Sequence, residues 1–424
     1  LAKQLNDSKA KFLVTVPPFL DKALEAANNS SVEEVFVFGD AEGASSFSEL
    51  MSTALPAPVV AIDPKNDLVV LPYSSGTTGL PKGVMLTHHN LVANLCQVDG
   101  LEEEKRMGED EIILAMLPFF HIYGMIVVMK LALAGGATVV SMPRFDMEEF
   151  LGLVQRYKAT TLPLVPPVVL GLAKSPLVDQ FDLSSVKTIF CGAAPLGREL
   201  SMETSQRIGC PVTQGYGMTE ASPVTHLSSM DPEKSREGAI GKVIPDTEVR
   251  LVDVKSGQDC AQGEDGELWI RGPQIMRGYL NQPEETAECI DTEGWYHTGD
   301  VGYVDEDGFF FIVDRVKELI KYKAMQVSPA ELEALLVTHP EILDTAVIPC
   351  PDEEAGEIPK AIVVLKDPAS ASDELAEKIM AFVADNVAPH KRVRLLDFAE
   401  QIPKSASGKI LRRVLVEAER SRHT

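Results

Sequence analysis

The densest concentration of reactive side chains in this 424-residue chain is Tyr73-Ser74-Ser75-Gly76-Thr77-Thr78-Gly79-Leu80-Pro81-Lys82-Gly83. Its three glycines let the backbone fold back and aim N–H groups at an anion. Four hydroxyls add donors and Lys82 adds a positive charge, so the chemistry indicated is polyphosphate binding. It is not a Walker A loop, because Pro81 precedes Lys82 and Gly83 follows where Ser or Thr belongs. The plain alternative is a surface hairpin, which does not call for so many donors. A second candidate is Lys409, at the end of Pro403-Lys404-Ser405-Ala406-Ser407-Gly408-Lys409. A Ser/Gly-rich turn opening a predicted helix over 409–418 can present one ammonium inside a cleft. Taken alone, a lysine at a helix start is an ordinary solvated residue.

The elements that must position these groups follow from apolar patterning. Strands are predicted at 67–72, 112–117, 137–142, 160–165, 186–191 and 212–216, with helical patterns at 122–133, 146–157 and 197–208. This alternation predicts βαβ crossovers and a doubly wound, mainly parallel α/β sheet, the phosphate loop following its first strand. From about residue 238 short strands (249–253, 266–271, 308–313) between Gly, Asp and Pro predict a smaller antiparallel sheet. The last hundred residues predict helices at 329–338, 372–386 and 409–418 and strands at 344–348 and 361–365. The organisation expected is an N-terminal body over 1–316 and a small mobile α+β cap over 317–424.

Charge narrows the function. With 39 basic and 63 acidic residues the net charge is −24, which opposes a nucleic-acid partner. The acidity is uneven: residues 390–424 hold nine Lys/Arg against four Asp/Glu, so this +5 tail caps a body of −29. Such a tail is either a lid that meets polyphosphate or a solvated helix face. Six cysteines without CxxC spacing predict reduced thiols rather than zinc or disulfides. The apolar stretch 112–142 is interrupted by Pro118, His121, Lys130 and Gly135-Gly136, which favours a buried core over a membrane span. No leader is visible after Leu1, and Arg422-His423-Thr424 does not match a peroxisomal Ser-Lys-Leu ending. A soluble, cytoplasmic protein is expected, with its oligomeric state open.

Seven sequence blocks now carry a resemblance. Residues 74–83 resemble the phosphate loop of the adenylate-forming superfamily of acyl-CoA synthetases, luciferases and adenylation domains. In register follow Pro118-Phe119-Phe120-His121-Ile122-Tyr123-Gly124, Cys191-Gly192-Ala193-Ala194-Pro195-Leu196-Gly197 and Gln214-Gly215-Tyr216-Gly217-Met218-Thr219-Glu220. Then come Gly294-Trp295-Tyr296-His297-Thr298-Gly299-Asp300, the run from Val313 through Asp314-Arg315-Val316-Lys317 to Lys323, and the Lys409 block. The wording is most similar to the 4-coumarate–CoA ligase branch. Family members have a longer stretch before the point matching Leu1, so part of the first subdomain is expected to be absent.

What the resemblance implies is an ATP-, Mg²⁺- and CoA-dependent ligase that adenylates a carboxylic acid and passes the acyl group to a thiol. Ser74, Ser75, Gly76, Thr77, Thr78, Gly79 and Lys82 would hold phosphates, and Asp300 and Arg315 the ribose. Tyr216 would face adenine, with Gly192, Ala193, Ala194, Gln214, Gly215 and Thr219 around the nucleotide. Glu220 would hold Mg²⁺. Lys409 would bridge carboxylate and α-phosphate, two anions whose repulsion is part of the barrier. His121, Tyr123, Gly217, Pro223 and Val224 would wall the acyl pocket, and Ser222, where the coumarate ligases have glycine, would narrow or polarise it. Lys317 resembles the hinge that exchanges Lys409 for Lys321, Lys323 and Gln326. Lys321 and Gln326 would then touch the adenylate, and Arg144, Lys323 and Ala324 the CoA. Ala324 replaces a family glycine and is expected to hinder CoA entry. The acid expected is hydroxycinnamate-like or a medium-chain fatty acid. Alternatives are a non-CoA acceptor (luciferase-like or carrier-protein loading) and a truncated nucleotide binder without turnover.

Overall fold

The computed structural model describes the chain except residues 53, 75–80, 102–107, 230, 324, 353, 406–407 and 423–424. The expectations for Ser75, Gly76, Thr77, Thr78, Gly79 and Ala324 therefore lie outside the described residues. Two compact units are present, one of Leu1–His89 with Met276–Glu288 and one of Asn90–Ile275 with Cys289–Thr424.

The first unit holds a parallel three-stranded sheet (Phe12–Thr15, Glu34–Val37, Ser45–Ser46) against the helix Leu20–Asn28, whose Leu20 and Ala23 are buried with Val35. Its second sheet runs Gly278–Tyr279, Lys82–Thr87, Leu68–Val70. Here one expectation is corrected. The strand near 67–72 is not part of the large parallel sheet; it pairs antiparallel with Lys82–Thr87, as does Tyr73–Ser74. The phosphate-loop sequence thus links two antiparallel strands instead of following a parallel one. Periodicity cannot tell these cases apart, since both show a short apolar run.

The second unit is built on a seven-stranded sheet in the order Lys242–Val243, Val224–Leu227, Val212–Gly217, Thr188–Cys191, Thr161–Leu164, Ile112–Ala115, Thr138–Ser141. The last five strands are parallel, and the first two join antiparallel. Thr161–Leu164 and Thr188–Cys191 are buried along their whole length, as parallel strands covered on both faces must be. The crossover helices start and stop where chemistry dictates. Asp146 caps Met147–Tyr157 by accepting the Glu149 N–H at 3.0 Å, and Gly209 in left-handed conformation ends Arg198–Ile208.

One helix departs from expectation: Tyr123–Leu131 winds as a π-helix before Ala132–Gly135 continues as α. At its start any side chain on Gly124 would collide with the Pro118 carbonyl, so the His121 loop is folded tightly on the helix.

The smaller sheet is antiparallel (Glu248–Val252, Gly266–Arg271, Tyr296–Val304, Phe310–Arg315). Beyond it a five-stranded sheet (Met325–Val327, Ile320–Tyr322, Gly356–Leu365, Ile342–Asp352, with Leu395–Phe398 beside Gly356–Leu365) carries Pro329–Leu336, Asp373–Asn386 and Arg412–Arg422. The last helix opens three residues later than expected, leaving Lys409 in the preceding turn. No helix among the described residues is long and apolar enough to cross a membrane.

Candidate active site

Strand ends of the second unit converge on Asp300. Cross-strand register sets Asp300 opposite Arg315, and the guanidinium Nε lies 3.1 Å from the carboxylate. Tyr216, near the end of a sheet strand, donates its hydroxyl to the other Asp300 oxygen at 2.5 Å. Asp300 is buried, so a carboxylate held on both sides is presented in a fixed orientation. Burial, and then the Asp300 charge, push the Tyr216 phenol well above its ordinary range, so it stays a donor. Burial alone would lower the Arg315 guanidinium, but Asp300 and Glu318 outweigh it and the net shift is upward.

Lys409 joins this group. Its ammonium is lowered by burial and by the Arg315 charge, with Asp300, Glu220 and Glu318 pulling the other way. The residue stays solvent-accessible although protein surrounds its ammonium closely enough for burial to lower it. The turn that carries it is closed on itself: Ser405 Oγ accepts the Lys409 N–H at 3.2 Å, and the Ser405 N–H donates back to the Lys409 carbonyl at 2.8 Å. Gly408 has φ +79°, and a Cβ there would meet the Pro167 ring at 3.2 Å, so the turn rests on the start of Pro166–Lys174. His121 feels the same charge. Burial, then Lys409, lower its imidazole, and its Nδ1 accepts the Tyr123 N–H at 3.2 Å, which leaves the proton on Nε2.

Around them the backbone is shaped by close approach. Tyr123 donates to the Phe190 carbonyl at 3.0 Å, its ring edge-on to Phe190, and Gly192 leaves room for it, a Cβ there coming within 3.2 Å of the ring. Ala193 adopts φ +71°, and Ala194 follows in the same turn. Gln214 is buried and its Oε1 accepts the Leu196 N–H at 3.2 Å, pinning that loop to the strand. Gly215 admits the Phe190 ring, and Gly217 admits the Pro223 carbonyl.

Glu220 is buried in the single turn Thr219–Ala221. Among the described residues no group of three or more His, Cys, Asp or Glu could hold a metal by itself. One carboxylate fits an ion held mainly by substrate phosphates, the usual arrangement for Mg²⁺.

Ser222 is held inside the protein. Its hydroxyl donates to the Gln274 carbonyl at 2.8 Å and the residue is fully buried at φ +67°. A glycine, the residue of the coumarate ligases there, would suit the same left-handed backbone. Pro223 and Val224 are buried beside it, and Gly217 is exposed.

Other expected residues are not gathered here. Lys321 and Gln326 pair across the hairpin Ile320–Tyr322/Met325–Val327 with exposed side chains, and the Lys321 N–H binds Glu357 at 2.8 Å. Lys323, at φ +45°, forms an exposed ion pair with Glu354 at 2.6 Å. Arg144 is exposed in the turn before Met147–Tyr157, and Lys317 is exposed in the turn after Phe310–Arg315. In the first unit, Ser74 Oγ is buried with no hydrogen-bond partner among the described residues, as suits a donor awaiting an anion. Its cross-strand neighbour Lys82 holds its ammonium 4.8 Å from the Tyr279 ring centroid.

Sequence reasoning missed the polar support of this site. Asn90, Asn94 and Gln97 are buried on the helix His88–Asp99. Asn94 pairs with both backbone groups of Val224, donating to its carbonyl at 2.8 Å and accepting its N–H at 3.1 Å. Gln97 donates to the side-chain Oε1 of Gln274 at 3.0 Å, and the backbone carbonyl of the same Gln274 accepts the Ser222 hydroxyl. The signal was there, three amides at i, i+4 and i+7 on one helix face.

The sheet order, the carboxylate–guanidinium–phenol group and the nearby lysine define an α/β enzyme that handles a nucleotide and an anionic co-substrate. Residues 1–280 match the AMP-binding enzyme family and residues 331–409 its C-terminal domain, so the chain belongs to the AMP-binding enzymes. It is 47% identical over 423 residues to 4-coumarate–CoA ligase 2 of Nicotiana tabacum, covering 98% of this chain and 77% of that protein. Among solved structures it is similar to an ATP-bound RpMatB–BxBclM chimera (TM-score 0.89, 29% identity, 100% of this chain and 82% of that one). It is equally similar to the anthranilate CoA ligase AuaEII in complex with anthranoyl-AMP (TM-score 0.89, 28% identity, 100% and 80%).

Proposed function

We propose that the protein is an ATP-dependent acid–CoA ligase of the 4-coumarate–CoA ligase type, acting on an aromatic, hydroxycinnamate-like acid. The observation that carries this is the Lys409 ammonium within the electrostatic reach of Asp300, Arg315, Glu220 and His121, in a chain so similar to those ligases. Two anions must meet, a carboxylate and the α-phosphate of ATP. A carboxylate oxygen attacks the α-phosphorus, the bond to the β-phosphate oxygen breaks, and pyrophosphate leaves. Lys409 neutralises both partners as they approach, while Asp300 accepts the ribose hydroxyls with Tyr216 and Arg315 holding it in place. Gly192, Ala193 and Ala194 back the adenine against Tyr216. Glu220 would hold Mg²⁺, whose charge, when bound, offsets that of the phosphates. Neutral His121 closes the acyl side against water.

In the second step the CoA thiol releases its proton to water, sulfur attacks the acyl carbon, the bond from that carbon to the phosphate oxygen breaks, and AMP leaves. We assign Lys321 and Gln326 to the adenylate in that step, and Arg144 and Lys323 to the CoA phosphates, with Lys317 as hinge between a body over 1–316 and a cap over 317–424. Exposed Lys321 and Gln326 fit a surface used in another position of the cap. Six cysteines without CxxC spacing suit a reducing, cytoplasmic setting.

The test is pyrophosphate exchange against cinnamic, benzoic and fatty acids, with and without CoA. Exchange with hydroxycinnamates and thioester formation on adding CoA is expected. Exchange without thioester would point to another acceptor, and no exchange with any acid would leave only nucleotide binding.

A further inference from the structure

The Lys409 turn has a stem, and one residue grips it. Leu411 N–H donates to the Pro403 carbonyl at 2.8 Å and Lys404 bridges to Ile410, so the chain closes just before Arg412 opens the last helix. Arg412 Nε donates to Glu318 at 2.9 Å. One terminal nitrogen reaches both Glu333 and the Val347 carbonyl, the latter at 2.6 Å, and the other lies 3.3 Å from the second Glu333 oxygen. Glu333 also accepts the Val347 N–H at 2.7 Å. The guanidinium side chain is 11% exposed and Glu333 14%, so the pair is largely removed from water. Burial lowers Arg412 and raises Glu333, but the two carboxylates overcome it at Arg412 and the net shift there is upward.

Position gives this clamp its meaning. Glu318 directly follows Lys317, Glu333 lies on Pro329–Leu336, and Val347 lies on Ile342–Asp352. The fork therefore ties the stem of the Lys409 turn to the first residues after the proposed hinge. A guanidinium can do this because its donors diverge in one plane; an ammonium is a single point of charge.

We infer that Arg412 is a positioning residue for adenylation: its grip on Glu318, Glu333 and the Val347 carbonyl sets the direction in which the Lys409 turn leaves the hinge, so that the ammonium arrives at Asp300–Arg315 in one orientation. The inference rests on the proposed role of Lys409. It predicts an asymmetry, because the thiol-transfer step uses other residues and does not need that orientation.

The two half-reactions are measured separately: pyrophosphate exchange with 4-coumaric acid, and thioester formation from supplied coumaroyl-AMP and CoA. Arg412→Met is expected to lower the exchange kcat about 100-fold, the scale of a small misplacement of a reacting group, with KM for ATP changed less than about threefold. Thioester formation falls less than about threefold. Arg412→Lys restores no more than about a tenth of the lost exchange, since it lacks the fork. Glu318→Gln, which removes only the more accessible arm, shows the same asymmetry at smaller size and guards against a misfolded cap. Equal losses in both half-reactions for both variants would overturn the inference. So would unchanged exchange in Arg412→Met where Lys409→Ala abolishes it. Should Lys409→Ala itself keep full exchange, the underlying reading of Lys409 fails instead.

Discussion

Single side chains here act through charge held in place. Asp300 and Glu220 stabilise the Lys409 charge while burial and Arg315 oppose it, leaving a net lowering. An ammonium in that balance gains most when two further anions arrive. Lys409→Ala is expected to cut pyrophosphate exchange about 100- to 1,000-fold, the size of losing one preorganised donor, and to spare thioester formation from supplied adenylate. His226 shows the opposite economy. It is fully buried between Tyr216 and Phe310, with Nδ1 3.0 Å from the Thr225 hydroxyl and Nε2 unpartnered among the described residues. Burial lowers its imidazole to about 3 from an ordinary 6.5. Folded and unfolded chains are both neutral there above pH 6.5, so no stability difference arises from this group. Below 6.5 only the unfolded chain takes the proton, and stability falls at up to about 1.4 kcal/mol per pH unit until the folded value is reached. Urea titrations from pH 7 to 4 should show this loss, with a shallower slope in His226→Asn; identical slopes would mean that His226 does not titrate.

Elements hold the site by apposition that no single segment encodes. The strand Val224–Leu227 and the turn before it are pinned by Asn94, which meets both backbone groups of Val224 as a neighbouring strand would. Asn94→Ala leaves those two buried groups without partners, at about 1–3 kcal/mol each. Its Tm should drop by several degrees and its KM for the acid should rise, because Pro223 and Val224 lose their fixed position. A variant with unchanged Tm and unchanged acid KM would show that the amide pairing is dispensable. The helical elements themselves were largely readable, since Asp146, Ser328 and Ser372 each cap the helix that follows. The π-winding of Tyr123–Leu131 was not, because a continuous apolar run does not separate a π-helix from an α-helix.

At the scale of the whole molecule the proposed function asks one site to serve two reactions. Lys317 is exposed in a turn where Arg315's carbonyl accepts the N–H groups of Glu318 and Leu319, and no backbone bond of its own N–H is needed for that turn. Proline fixes φ at its own position and restricts the residue before it, so Lys317→Pro stiffens the chain at this turn. The expected outcome is thioester formation slowed about tenfold or more with pyrophosphate exchange retained, as stiffening blocks exchange of lid faces rather than the first face. Proportional loss of both activities would argue that Lys317 is no pivot.

The sequence by itself determined which elements form and which residue types are reactive. Strand runs, helix caps and the glycine-hydroxyl loop are local properties, written in neighbours a few residues apart. That is why the parallel sheet, the antiparallel one and the blocks around His121, Tyr216, Asp300 and Lys409 could be read before any coordinates. Only the tertiary structure decided where polar groups a hundred residues apart would meet. It assigned Ser222's hydroxyl to Gln274, Asn94 to Val224, and Arg412 to Glu318 and Glu333. The reason is physical: a buried hydrogen bond or ion pair has distance and direction, which depend on how whole sheets and helices pack, whereas propensity and periodicity depend on the chain's nearest neighbours alone.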